Sequence, residues 1–273
     1  MEKPGMDHKP RFPAAIRVVF AVARVTFKEI VRDRLLYNIL VFSVLLFSVG
    51  VLASRAAVVM SAERVILDFG LTALRLSGSM IGIFVGSALL IREVDRRTIH
   101  VALSHPITRA QFVFGKYLGL ATVLLLNWIL STGAYILLLI GFNDWNFSFT
   151  ATFGWAVFFA GLEGLFMASA AVFFSTFTTT SLSVIFCIGL YLIGNNISAM
   201  RTLAVKSAGS FQGVILDALS RALPNLEHFN LGTKLTYSLT IPGAFLTYGV
   251  LYGVALILLF LWAAGLLLGL KEI

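Results

Sequence analysis

Residues 117–140 read YLGLATVLLLNWILSTGAYILLLI and carry no charge, and residues 243–268 are charge-free in the same way. No other feature constrains the fold as much. About 20 apolar residues cover a hydrocarbon core about 30 Å thick. In lipid a backbone must satisfy its own hydrogen bonds, so a spanning segment is a helix or part of a closed barrel. Runs this long, without alternation of polar and apolar residues, specify helices. Further apolar runs at about 35–53, 76–91, 151–174 and 180–198 bring the expected spans to six. A mean hydropathy of +0.93 and a charged fraction of 12% leave too little polar surface for soluble domains. The expected fold is therefore an all-α polytopic membrane protein with six transmembrane helices.

The run at 76–91 is short, so its helix is expected to begin inside the connector 54–75, which carries Arg55, Glu63, Arg64, Asp68 and Arg75. Residues 1–34 read as a cytoplasmic N-terminus and residues 35–273 as the six-span domain. Within the N-terminus, Arg17, Arg24, Lys28 and Arg32 are spaced to share one helical face. That pattern describes a basic amphipathic helix lying in the membrane interface; the alternative is a cytoplasmic extension of the first span. The first apolar core follows a long charged segment and suits a permanent span rather than a cleaved signal. Six spans put both termini on one side. Fourteen Lys/Arg fall on that side and seven on the other, which places both termini in the cytoplasm.

The net charge of +8 is thus explained by topology, with no nucleic-acid partner. Cys187 is the single cysteine, so there is no disulfide framework. The four His and six Met are scattered, and no metal site is expected. No GxxxxGK[ST] pattern occurs, so any ATP must be bound by another chain.

Between spans two and three the chain reads IREVDRRTIHVALSHPITRAQFVFGK. Pro106 disfavours the helical region for His105, which ends a first helix there. Thr108 and Gln111 fit a capping box that opens a second helix running into span three. Arg92, Arg96, Arg97, Arg109 and Lys116 suit anionic headgroups, while Glu93 and Asp95 are available to a protein. Read from the residues alone, this is either an ordinary positive loop or a helix–corner–helix part held at the cytoplasmic surface.

The stretch resembles the loop between spans two and three of ABC-2 type transporter permeases. The matching residues are Glu93, Thr98, Ile99, Leu103, Ser104, Pro106, Ile107, Thr108, Arg109, Gly115 and Lys116. Residues 223–230, LPNLEHFN, are similar to an element before the last span in the branch related to the nitrous-oxide-reductase maturation permease, as are Tyr248 and Tyr252 within that span. Arg97, Ala102 and the C-terminal GLKEI depart from the family pattern. The resemblance implies six spans per subunit, an N-terminal interfacial helix, and short helices on the outer side before the last span. It implies a bacterial inner-membrane exporter built from two such subunits, alike or related, and two cytoplasmic ATPase subunits that bind ATP and Mg. This chain would be no enzyme and bind no cofactor. Glu93 through Thr108 would include a coupling helix resting on the ATPase, with Ile99, Leu103 and Ile107 as apolar anchors.

Glu163, in span four, is expensive in lipid and a functional candidate; the bland alternative is a protonated, hydrogen-bonded packing residue, because the sequence shows no cationic partner in the core of another span. Gly78, Gly82 and Gly86, and Gly249 and Gly253, form small-residue faces suited to close helix approach, within one subunit or between two. Asn195 and Asn196 end span five near the outer surface, and residues 211–223 repeat apolar positions at helical spacing until Pro224. With Asn225 these are candidates for an outer gate; a helix resting on the membrane surface is the alternative. His228 reads as an interface residue.

Three other functions are open. The same scaffold could act as a mechanical transducer that passes ATPase motion to a periplasmic partner without moving cargo. An intramembrane enzyme would need converging catalytic residues, for which only Glu163 is available. A secondary transporter would show inverted repeats and paired midplane charges, and neither is visible.

Overall fold

The computed structural model describes residues 14–33, 62–89, 108–142, 151–207, 209–236 and 241–270, with isolated positions between 37 and 52 and at 91 and 239. The expected first span lies almost wholly outside these residues, as does the stretch 92–107. All regular structure among the described residues is helical. The elements are α1 (Ala14–Val31), α2 (Ala62–Leu89), α3 (Arg109–Phe142), α4 (Ala151–Ser175), α5 (Thr180–Gly194), α6 (Ile197–Lys206), α7 (Phe211–Ala222), a 3₁₀ turn (Leu226–Phe229), α8 (Gly232–Thr236) and α9 (Gly243–Leu270).

α2, α3, α4 and α9 are long and apolar enough to cross a bilayer. The expected fifth span does not form one straight helix. α5 stops at Gly194, and α6 leaves at 69° to it. Its 15 residues reach only about 22 Å, less than the hydrocarbon thickness of about 30 Å.

α4 lies at the centre, with buried residues on every side along 156–172. Its closest neighbour is α2. A Cβ on Gly82 would stand 2.8 Å from the Gly164 carbonyl oxygen and 2.9 Å from the Ala168 nitrogen, so the two backbones touch there. The glycine face of α2 is thus a seam within the chain. Gly249 and Gly253 of α9 likewise meet Phe159 and Leu162 of α4. Aromatic tips on α3 seal its own contacts: Tyr135 Oη donates to the Leu67 carbonyl at 2.8 Å, Trp128 Nε1 to Val157 at 2.9 Å, and Tyr117 Oη to Leu165 at 3.2 Å.

α1 packs across the start of α3. Gly115 and Gly119 let it in close, since a Cβ on either would meet Val22 or Thr26 within 3 Å. Ala23, Thr26 and Ile30 are buried in that contact, while Arg17, Arg24, Lys28 and Arg32 are all exposed, with Phe20 and Val25 beside them. The basic face is therefore turned away from the protein.

Contacts between helix ends fix the direction of each helix. Arg109 at the start of α3 reaches Leu268 at the end of α9, Phe260 of α9 touches Phe173 of α4, and Ser183 of α5 bonds Ser87 of α2. One end of the bundle thus holds the starts of α3 and α5 and the ends of α2, α4 and α9. α5 runs from that end toward the other and stops partway.

Candidate functional site

Two polar assemblies stand out, one at each level of the bundle. The first is the corner at the start of α3. Thr108 Oγ1 accepts from the Gln111 backbone N–H at 3.3 Å, and Gln111 Oε1 accepts from the Thr108 N–H at 3.1 Å. This reciprocal pair satisfies donors that a helix start leaves open. Arg109 donates to the Leu268 carbonyl at 2.6 Å, a cation at the carbonyl end of α9, where the helix dipole favours it. Lys116, 3% exposed, lies 3.4 Å from Glu29 of α1. The corner is thereby joined to the first and last helices at once. Of the residues expected to engage an ATPase, Thr108 and Arg109 are described, and both are engaged within the chain; Glu93, Thr98, Ile99, Leu103, Ser104, Pro106 and Ile107 lie outside the described residues.

The second assembly surrounds Glu163, at 0% exposure halfway along α4. It has the cationic partner that the sequence did not reveal. Arg75 Nε donates to Glu163 Oε2 at 2.7 Å, and Arg75 Nη2 to Oε1 at 3.0 Å, a two-pronged fork. The same Nη2 donates to Asn195 Oδ1 at 2.7 Å. Asn195 Nδ2 donates to Glu163 Oε1 at 3.0 Å and to the Tyr191 carbonyl at 3.1 Å. The amide thus presents its oxygen to the cation and its nitrogen to the anion. Burying two charges costs several kcal/mol each, on the order of what their attraction returns, unless further hydrogen bonds complete them. Asn195 supplies those bonds.

This arrangement corrects two expectations. Glu163 has a cationic partner, in α2. Arg75 is not a loop charge: it lies within α2 at 7% exposure. Its place in the Lys/Arg balance falls away, and fourteen to six still favours the same orientation. Asn195 lies level with the middle of α4. It bonds Glu163, which is about 18 Å from the end of α4 near which α5 starts. The break between α5 and α6 therefore lies deep in the bundle.

Residues 223–230 pack against that break. Leu226 is buried on Gly194, whose Cβ would come within 2.6 Å of it. Glu227 Oε1 accepts from the Ser198 N–H and from Ser198 Oγ, both at 2.7 Å, so a carboxylate caps the start of α6. Asn225 Oδ1 accepts from the Glu227 N–H at 3.0 Å, and the Asn225 N–H donates to Tyr252 Oη of α9 at 2.8 Å. Irregular backbone at membrane depth is tolerated when it is buried in protein and satisfied in this way. Pro224 ends α7, and its carbonyl lies beside Gly194. Asn196 is exposed and donates to the Leu192 carbonyl at 2.8 Å. The outer-gate candidates thus converge on one break. Arg75, Glu227 and Tyr252 belong with them, and sequence reasoning did not single out the first two. One signal was available: Arg75 stands three residues before Gly78, on the face that the glycines mark, and Glu163 adjoins Gly164.

A family model described as ABC-2 family transporter protein matches residues 20–269, which takes in most of α1, nearly the whole of every long helix and both assemblies. The chain belongs to the ABC-2 transporter family. No curated protein matches it significantly. Membership makes it a membrane-spanning permease subunit of an ABC transporter, a class that works with ATPase subunits and is not itself catalytic.

Proposed function

We propose that this ABC-2 permease couples ATP hydrolysis on two partner ATPase subunits to the export of a substrate. It does so as one of two paired subunits with six spans each, in a bacterial inner membrane with both termini in the cytoplasm. The observation that carries the reading is the corner at Thr108. A capped, 34-residue helix begins where the expected coupling stretch ends, and Arg109 and Lys116 bind that start to α9 and α1. Motion delivered to Thr108 would reach three helices through these bonds, a rigid-body transfer of the kind that drives domain closure. Glu93, Thr98, Ile99, Leu103, Ser104, Pro106 and Ile107 meet the ATPase. Thr108 and Arg109 pass the displacement on. Glu163 holds Arg75 at the break, where Asn195, Asn196, Pro224 and Asn225 form the outer gate. The likeness of LPNLEHFN to the nitrous-oxide-reductase maturation branch supports the second reading, a mechanical transducer that passes ATPase motion to a periplasmic partner without moving cargo.

Affinity purification of the tagged permease from native membranes tests the reading. A P-loop ATPase with vanadate-sensitive hydrolysis is the expected companion. Charge reversal at Glu93 together with Leu103→Asp should remove it while leaving the permease folded. Recovery of the permease alone would overturn the coupling. An additional periplasmic protein in the eluate, with no substrate moved in vesicles, would favour the transducer reading over export.

A further inference from the structure

The break in span five is not a proline kink. Sharp kinks arise from Pro, from Gly/Ser pairs, from π-bulges, or where a side chain intrudes on the helix ladder. No proline lies between Thr180 and Lys206. Asn195 sits at φ −84°, ψ 0° and Asn196 at φ −130°, ψ 26°, and neither has a positive φ. Asn195 is thus a modest torsional change from the helical region, and Asn196 needs rotations of about 70° in both φ and ψ. Straight from Thr180 to Lys206, the segment would be a helix of about 40 Å, enough to cross a bilayer.

Contacts with distant parts of the chain hold the segment bent. On the inner side, Asn195 is bound by Arg75 and Glu163 at 2.7 and 3.0 Å, and its own amide nitrogen takes up the Tyr191 carbonyl in the last turn of α5. On the other side, Glu227 takes up the Ser198 N–H and hydroxyl at the start of α6. In a straight helix the Ser198 N–H would instead pair with the carbonyl four residues earlier, Gly194. The carboxylate therefore replaces one rung of the missing ladder. Leu226 occupies the space beside Gly194.

We infer that α5 and α6 are the two arms of a reversible hinge. Asn195, tied to the Arg75–Glu163 pair, and Glu227, tied to Ser198, are the positioning residues that keep it bent. Release of both clamps lets the arms align into a continuous span. Arg75 and Glu163 remain paired with each other when Asn195 leaves, so the release exposes no isolated charge. The hinge is a property of this chain and does not depend on what the permease carries or in which direction.

Spin labels at Leu182 on α5 and Val205 on α6, both exposed, read the hinge in full-length protein in liposomes, with Cys187→Ala to keep labelling specific. Dilution with unlabelled protein removes distances between copies. The bent form places the two backbone positions about 28 Å apart and a straight helix about 34 Å. Unsubstituted protein is expected at the shorter distance, and Asn195→Leu with Glu227→Ala should populate the longer one. Asn195→Ala alone leaves the ion pair whole and adds no bulk; it should broaden the distribution toward the longer distance, and it serves if the double variant does not fold. A narrow peak at the shorter distance in every folded variant would overturn the hinge. So would unsubstituted protein found only at the longer distance. Absence of a partner ATPase would sink the export reading and leave these distances as they are.

Discussion

The seam between α2 and α4 permits a comparison in which the same substitution, four residues apart on one helix, has opposite outcomes. At Gly82 an added Cβ would stand 2.8 Å from the Gly164 oxygen, 2.9 Å from the Ala168 nitrogen and 3.3 Å from the Ala168 Cα. All three are backbone atoms of a central helix, so no side chain can rotate aside. Relief requires the helices to part by about 0.5 Å, and a gap of that size forfeits about a quarter of the dispersion well along the seam. Overpacking costs about 1–3 kcal/mol, and a backbone obstacle puts Gly82→Ala near 3 kcal/mol. At Gly78 the nearest atom is the Gly164 Cα at 3.8 Å, an ordinary contact. There Gly78→Ala gains contact and helix propensity, worth up to about 1 kcal/mol. Thermal unfolding of the full-length protein in detergent, followed by size exclusion, reads the difference. At roughly 2–4 °C per kcal/mol for a chain of this size, Gly82→Ala should melt about 6–12 °C below the unsubstituted protein and Gly78→Ala at or above it. Equal melting temperatures, or Gly78→Ala the less stable, would refute the reasoning.

Other outcomes follow from single contacts. Thr108→Ala removes the cap of α3 and should cost about 1 kcal/mol, seen as roughly fivefold faster hydrogen exchange at Gln111. Tyr252→Phe leaves the Asn225 N–H without its acceptor and should lower stability by about 1 kcal/mol, while Tyr248→Phe, on the exposed side of α9, should change nothing. His228 is held below its ordinary value of 6.5, chiefly by loss of water around the ring, with Glu227 opposing and Lys234 and Arg201 reinforcing the shift. The folded state then binds fewer protons than the unfolded one, so stability falls as pH drops through 6.5 and below. His228→Gln should flatten that part of the stability profile, and an unchanged slope would remove His228 as its source.

Much of the fold was readable from long apolar runs: α3, α4 and α9 contain the expected spans, because no competing periodicity interrupts them. α7 was readable from its periodicity and from Pro224. The corner at Thr108 was readable because capping chemistry is local, with both partners three residues apart. The break at Asn195 was not. Its residues suit a helix interior as well as a helix end, and its causes lie 32 residues away in Glu163 and 120 away in Arg75. Arg75 itself was hidden by the habit of starting a span at the first apolar residue: charge at a helix end reads as loop, and only a partner on another helix turns it into core. Glu227 looked like surface for the same reason, since the N–H groups it caps belong to a helix nearly 30 residues earlier.

The fork between Arg75 and Glu163 also sets an order of events during synthesis. The two residues are 88 apart in the chain. α2 is the least apolar of the four long spans, at a hydropathy of 1.4, and an arginine at the centre of a span adds about 2.5–3.5 kcal/mol to the cost of insertion. At roughly 5–20 residues per second, the ribosome delivers Glu163 about 4–18 s after Arg75. Asn195 follows Glu163 by 32 residues, about 2–6 s later. For that interval α2 lacks its counter-charge, and it is expected to wait at the edge of the translocon or in the interface until α4 arrives. A ribosome stalled between the two residues would strand α2 outside the bilayer, where glycosylation or protease mapping of truncated nascent chains would find it.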